Sequence, residues 1–202
     1  MKSSEVLVWI DCEMTGLDVE KDALVEVAVL ITNSQLEILD DGFSVVIKPS
    51  DSALEGMGDF VRNMHEESGL LEEVENGKDL TVAEAEILEY IKQFVPEEKV
   101  APLAGNSIGT DRMFINRYMP TLDSFLHYRN VDVSSIKELV RRWYPKTYFQ
   151  LPKKEGGHRA LADIRESIAE LRYYQKSVFV AEPGPSTDQA KQIAESLKRE
   201  LE

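Results

Sequence analysis

Trp9-Ile10-Asp11-Cys12-Glu13-Met14-Thr15-Gly16-Leu17 follows directly from an apolar run that begins at Val6. The run is short, rich in β-branched and aromatic residues, and stopped by Thr15-Gly16, which predicts a strand buried on both faces. Side chains alternate along a strand, so Asp11 and Glu13 leave the same face two positions apart. Two carboxylates side by side at the end of a buried strand repel each other and lose water. Such a pair is stable when a cation lies between them or when one holds a proton. At a strand end open to solvent the same pair is harmless, so the pair alone leaves a metal site and a solvated edge both open.

Working outward, residues 23–32 (ALVEVAVLIT) predict a second strand and 36–48 a third, bulged near Asp40-Asp41-Gly42. The short polar link Asn33-Ser34-Gln35 predicts a hairpin between them. Pro49 ends this β-rich part. A short helix is expected within 57–71, broken at Gly69. A longer one is expected over 81–94, with Thr81 and Glu84 as a capping box and Val82, Ala85, Leu88 and Ile91 as its apolar stripe. Residues 100–104 read as a buried strand leading into Gly105-Asn106-Ser107-Ile108-Gly109-Thr110-Asp111. A helix over 111–118 stops before Pro120, and 128–133 reads as a last strand. Ser135 and Glu138 suggest a second capping box for a helix over 135–143, followed by a loop over 146–157. The strongest helical pattern covers 159–177, where Leu161, Ile164, Ile168 and Leu171 form a stripe beside Asp163. Three strands followed by alternating helices and strands predict an α/β fold, a mixed β-sheet flanked by helices on both faces.

Composition narrows the functions available. At 202 residues and 43% hydrophobic, the chain suits one domain with a sizeable core. We divide it into a domain over 1–180 and, past the linker Ala181-Glu182-Pro183-Gly184-Pro185-Ser186, a charged tail helix within 181–202. The net charge of -14 excludes a sequence-independent binder of long nucleic acid, which needs a broad basic surface. A nucleic-acid substrate must then be short, or held locally with metal ions offsetting its charge. One cysteine, Cys12, gives neither a disulfide framework nor a thiolate zinc site. No signal-peptide region is seen and no apolar run nears the ~18 residues of a membrane span, so a soluble, cytoplasmic protein is expected.

Other chemistry-bearing residues lie far from the opening pair in sequence. Asp111 heads a helix, where plain capping by an acid is the alternative to a ligand role. His158 follows Gly156-Gly157, and Asp163 comes five residues later. Five helical steps turn by ~500°, so the two converge only if His158 lies in the glycine-rich entry ahead of the helix. Together, Asp11-x-Glu13, Asp111 and His158-x4-Asp163 resemble the DEDD exonucleases, in the variant whose fifth residue is His. Longer stretches narrow the likeness: WIDCEMTGL (9–17), GNSIGTDRMF (105–114), YRNVDVSSIKELVRRW (128–143) and HRALADIRES (158–167) resemble the oligoribonuclease family. These motifs run in order between about residues 5 and 176 and leave the tail outside.

The resemblance implies a ribonuclease H-like fold and a 3′→5′ exoribonuclease that reduces very short RNA, especially 5′-phosphorylated dinucleotides, to mononucleotides. Four carboxylates can hold two divalent cations ~3.5–4 Å apart around a scissile phosphate. Oxygen-only ligands favour Mg²⁺ or Mn²⁺ over zinc. Asp11, Glu13 and Asp163 are expected to ligate one metal, Asp11 being shared with the second and Asp111 acting through water. His158, with a reference pKa near ~6.5, suits a general base. Leu17 is expected to wedge between bases and Phe60 to stack on one, unless both are core residues. Phe60 stands where the family usually has Trp, so weaker stacking is expected, within the ~1–3 kcal/mol per base typical of aromatic platforms. Met14 and His65 match positions near the substrate. Asn106 and Ser107 can present an amide and a hydroxyl to a phosphate, or form a simple turn. Arg129 and Ser134 match the cap on the 5′-phosphate, the alternative being a surface Arg beside a helix cap. Tyr128 is implied to reach the partner subunit's site, and hence a homodimer. The competing readings are a DNA-proofreading or tRNA-trimming exonuclease of the same superfamily, and a catalytically silent nucleotide-binding protein.

Overall fold

The order of hydrophobic runs builds a five-stranded sheet among the described residues, which in this computed structural model are 5–152, 157 and 159–200. The strands are β1 (Val6–Met14), β2 (Leu24–Asn33), β3 (Phe43–Val46), β4 (Pro102–Gly105) and β5 (His127–Asp132), in spatial order β3-β2-β1-β4-β5. β2 is antiparallel to β1 and β3, whereas β4 runs parallel to β1 and to β5. The predicted mixed sheet is therefore present, with β1 at its centre and buried on both faces.

The helices are α1 (Asp51–Glu55), α2 (Asp59–Glu67), α3 (Leu70–Val74), α4 (Leu80–Lys92), α5 (Gly109–Tyr118), α6 (Pro120–Phe125), α7 (Val133–Trp143), α8 (Pro145–Tyr148), α9 (Ala160–Ser177) and α10 (Thr187–Glu200). Alternation along β1 sorts them into two layers. Val8, Ile10 and Cys12 face a core shared with Ile87 and Ile91 of α4, Phe114 of α5 and Leu122 of α6. Trp9 faces the opposite core, with Val140 of α7 and Ile164, Ile168 and Tyr174 of α9. Gly105 ends β4 where a side chain has no room: a Cβ there would lie 2.8 Å from Ile108 Cδ1 and 3.1 Å from the Ile10 carbonyl oxygen. That close approach lets the segment after β4 run along the end of β1.

Several boundaries differ from expectation for physical reasons. The third strand is only Phe43–Val46, because Gly42 takes a positive φ and breaks the pairing that otherwise continues as a lone bridge from Thr32 to Ile38. The hairpin link is held by Asn33, whose Oδ1 accepts from the Gln35 and Glu37 amides. The capping acids lie upstream of both predicted boxes. Asp79 caps α4 through the Thr81 amide, and Asp132 caps α7 through the Ser134 amide. Glu84 instead accepts from the Thr121 and Leu122 amides at the start of α6. Glu138 pairs with Arg141 and Arg142. The stripe of α4 is Ala83, Ile87, Tyr90 and Ile91, leaving Val82 and Ala85 exposed. Within the predicted 146–157 loop, α8 adds a turn of helix begun by Pro145. No residue of α10 is buried, and no described helix is long and apolar enough to cross a membrane.

Candidate active site

Asp11 and Glu13 project from the α9 face of β1, in phase with Trp9. The apolar stripe of α9 docks on Trp9, Ala28 and Leu30, which brings the first turn of that helix over the end of β1. Asp163 lies in that turn. One carboxylate oxygen from each of Asp11, Glu13 and Asp163 falls within 4.8 Å of the others. Asp111 arrives from the first turn of α5, and its Oδ1 accepts the Cys12 amide at 3.0 Å. Four acids from three segments thus gather around the end of the central strand. The donor set is all oxygen with excess negative charge, which fits a hard divalent cation.

Burial is the largest influence on Glu13, followed by the charges of Asp163, Glu26 and Asp111. Against the opposing pull of Arg159, they push its carboxyl up to about 8. Burial likewise pushes Asp111 up to about 6, opposed by hydrogen bonds from the Cys12 and Asp111 amides. The metal-free protein should therefore show a pH-dependent stability. Below pH 4.5, the ordinary glutamic value, Glu13 is protonated in both folded and unfolded chains and carries no ionisation cost. Between there and about 8 the unfolded chain ionises while the folded one does not, so stability falls with rising pH. The slope is about 1.4 kcal/mol per pH unit within that window. Melting curves in chelator at pH 5, 6.5 and 8 check it: Glu13→Gln should flatten the trend, and Mg²⁺ should raise Tm most at pH 8.

Sequence patterning does not single out the layer beneath the acids. Glu26 lies opposite Glu13 in the β1–β2 register and is 1% exposed. Its carboxylate accepts from Ser44 Oγ at 2.7 Å, from the Ala160 amide at 3.2 Å, and from Arg159 Nε and Nη2 at 3.3 and 3.2 Å. Arg159 continues to Glu73 of α3 at 2.8 and 3.2 Å. This network ties the N-terminus of α9, and with it Asp163, to the sheet. The available signal was an acid inside the otherwise apolar run 23–32.

The predicted substrate contacts fall into two groups. Leu17 and Phe60 are 74% and 81% exposed, which excludes the core alternative for both. The loop carrying Leu17 is braced from beneath. Asp22 accepts from the Asp18 amide at 2.8 Å and from Thr15 Oγ1 at 3.0 Å, and the Tyr118 hydroxyl reaches the Val19 and Asp22 carbonyls. A Cβ on Gly16 would lie 2.4 Å from Asp22 Oδ2, so a side chain there would displace the carboxylate that braces the turn. Phe60 rides on α2, which also carries His65. That ring is buried, with Nε2 donating to the Met14 carbonyl at 2.9 Å and Nδ1 facing Glu13 Oε2 at 4.0 Å. Met14 is half-buried at the end of β1.

The second group lies where β4 and β5 end. Ser107, with a positive φ, donates its amide to Ser134 Oγ at 2.9 Å, and the two hydroxyl oxygens are 3.0 Å apart. Asn106 is turned inward, its amide nitrogen donating to Ser167 Oγ at 2.8 Å and to Glu170 Oε2 at 3.3 Å. Its oxygen accepts from Ser134 Oγ at 3.2 Å. Both ends of the Asn106 side chain thus have protein partners. Tyr128 and Arg129 stand exposed on the edge strand β5, the guanidinium 5.4 Å from the ring centroid. His158 lies outside the described residues.

An α/β sheet of this order with acids from β1, α5 and α9 at its centre defines a class. The family model described as Exonuclease matches residues 8–171, and the chain belongs to that family. Among the most similar relatives is the oligoribonuclease of Leifsonia xyli subsp. xyli, 62% identical over 96% of this chain and 94% of that protein. The oligoribonucleases of Streptomyces coelicolor and Mycobacterium tuberculosis are 60% and 59% identical, over 93% and 95% of this chain and 94% and 89% of theirs. The first of these matches reaches into the tail beyond residue 180, further than the motifs from which the resemblance was read. Solved structures show the same fold. The zinc-bound E. coli exonuclease I–ssDNA complex superposes with a TM-score of 0.66 at 15% identity over 86% of this chain. Exonuclease I of Methylocaldum szegediense superposes with a TM-score of 0.60 at 18% identity, also over 86% of this chain. This chain spans about two fifths of both longer chains (41% of each).

Proposed function

We propose that this chain is a 3′→5′ exoribonuclease that hydrolyses very short RNA to mononucleotides and prefers 5′-phosphorylated dinucleotides. The gathering of Asp11, Glu13 and Asp163 within 4.8 Å carries this reading, and the oligoribonuclease relatives support it. Divalent cations, Mg²⁺ or Mn²⁺, held by these acids with Asp111 supply activation of water and charge neutralisation at the phosphate. His158 takes the proton of the attacking water on its imidazole. Leu17 and Phe60 receive the bases at the scissile end. Arg129 and the hydrogen-bonded Ser107–Ser134 pair receive the 5′-phosphate, the guanidinium through paired charge-assisted hydrogen bonds. The protein acts in the cytoplasm as a homodimer in which Tyr128 completes the partner subunit's site. Exposed Tyr128, Leu139 and Trp143 on β5 and α7 support that association.

The test is binding and cleavage of 5′-labelled RNAs of graded length, with and without the 5′-phosphate, in Mg²⁺ and in Mn²⁺. A dinucleotide fills the distance between the phosphate cap and the acids, so longer RNAs should bind more weakly. Removing the 5′-phosphate and mutating Arg129→Ala should cost similar amounts, roughly 1.5–3 kcal/mol, and fail to add because they delete one interaction. Affinity that climbs steadily with RNA length would rule this reading out. We also assign the exonuclease domain to residues 1–180. Deleting residues 181–202 should then leave dinucleotide cleavage within about two-fold of the full chain, a surface-scale change. Loss of activity on that truncation would move the boundary.

A further inference from the structure

The hydrogen bonds behind Asn106 form a directed chain. Glu170 is 4% exposed, and its Oε1 accepts from the Tyr174 hydroxyl at 3.0 Å and pairs with Lys137 Nζ at 3.2 Å. Its Oε2 accepts from Asn106 Nδ2, as does Ser167 Oγ. A carboxylate is an acceptor only, so Glu170 forces the Asn106 amide group inward and its carbonyl outward. That carbonyl in turn takes the single proton of the Ser134 hydroxyl. Ser134 Oγ then has only lone pairs left, and these receive the Ser107 amide and the Ser107 hydroxyl. In this arrangement Ser107 has the one hydroxyl of the set that can rotate outward without stranding a partly buried acceptor. Ser167 joins the same chain to α9, donating to the Asp163 carbonyl oxygen at 2.9 Å.

We infer that Glu170 is a positioning residue which, through Asn106 and Ser134, fixes Ser107 as the hydroxyl donor for the 5′-phosphate and ties that donor to the helix bearing Asp163. The inference rests on the proposed 5′-phosphate reading and adds to it a buried control element that does not touch substrate. In Glu170→Gln, an amide group can face Asn106 Nδ2 donor to donor, which releases the Asn106 orientation. In Ser167→Ala, the other acceptor for that amide disappears with little change in volume.

Dissociation constants and kcat for a dinucleotide with and without its 5′-phosphate decide the matter, measured on the full-length chain with Mg²⁺. Glu170→Gln and Ser167→Ala should each weaken binding of the phosphorylated dinucleotide roughly 2- to 10-fold, the scale of one hydrogen bond. Binding of the 5′-hydroxyl dinucleotide and kcat for both should hold. Equal weakening of both ligands marks a general loosening and overturns the inference. So does unchanged affinity for the phosphorylated ligand while the native protein still prefers it, an outcome that leaves the 5′-phosphate reading standing. If the native protein binds both dinucleotides equally, that parent reading fails and this inference with it. Should Glu170→Gln fail to fold, Glu170→Asp, which withdraws the acceptor from Asn106 and keeps its charge, takes its place with the same expected result and the same overturning result.

Discussion

Replacing Asp11 by Asn or Glu13 by Gln is expected to lower dinucleotide cleavage by at least ~10³-fold, since cation stabilisation of the transition state is worth several kcal/mol. The loss should fall on kcat and leave the fold intact. Each substitution removes a negative charge from a cluster in which oxygens of three acids lie within 4.8 Å. Glu13 is also buried beside Asp163 and Glu26, so its neutral amide should raise the melting temperature of the metal-free protein at pH 8. Activity lost together with raised stability separates a functional acid from a structural one. Chelation should stop the native enzyme, and added Mn²⁺ should restore it. Full turnover in excess EDTA, or a Glu13→Gln protein that cleaves normally, would remove the acids from the reaction.

The second large effect is expected at His158. A general base contributes on the order of 10²–10⁴-fold in rate. His158→Ala should therefore reduce kcat by that factor with little change in dinucleotide affinity, and flatten the acidic limb of the pH–rate profile. Single-turnover measurements on bound substrate check it directly. If affinity collapses while the bound substrate turns over at the native rate, His158 is a binding contact and the base is elsewhere.

The strand carrying Asp11 and Glu13 was legible because its hydrophobic run, its alternation and its glycine stop all agree. The stripe of α9 and the place of Asp111 at the head of a helix were legible for similar reasons, since each rests on a local periodicity or turn. What pattern alone missed was decided by tertiary partners. Glu84 has capping-box spacing from Thr81, yet it binds amides at the start of α6. Val82 and Ala85 have helical spacing, but the residues that α4 turns into the core are Ala83, Ile87, Tyr90 and Ile91. Asn106 donates to Glu170, more than sixty residues along the chain, a partner that no local window shows. Glu26 and Arg159 pair across more than a hundred residues, which no local window registers. Exposure was equally invisible: Leu17 and Phe60 are ordinary core types, and only the fold leaves them in solvent.

The braced turn beneath Leu17 has a thermodynamic consequence for a ligand as small as a dinucleotide. Few atoms are available for contact, so little interaction energy can be diverted to ordering the protein. The turn's hydrogen bonds through Asp22 and Tyr118 fix the backbone under an exposed apolar side chain during folding. On the proposed reading, docking a base against Leu17 then requires settling one short side chain rather than a loop. The calorimetric signature should be a small negative heat-capacity change, proportionate to the apolar area covered and without the large excess that marks folding coupled to binding.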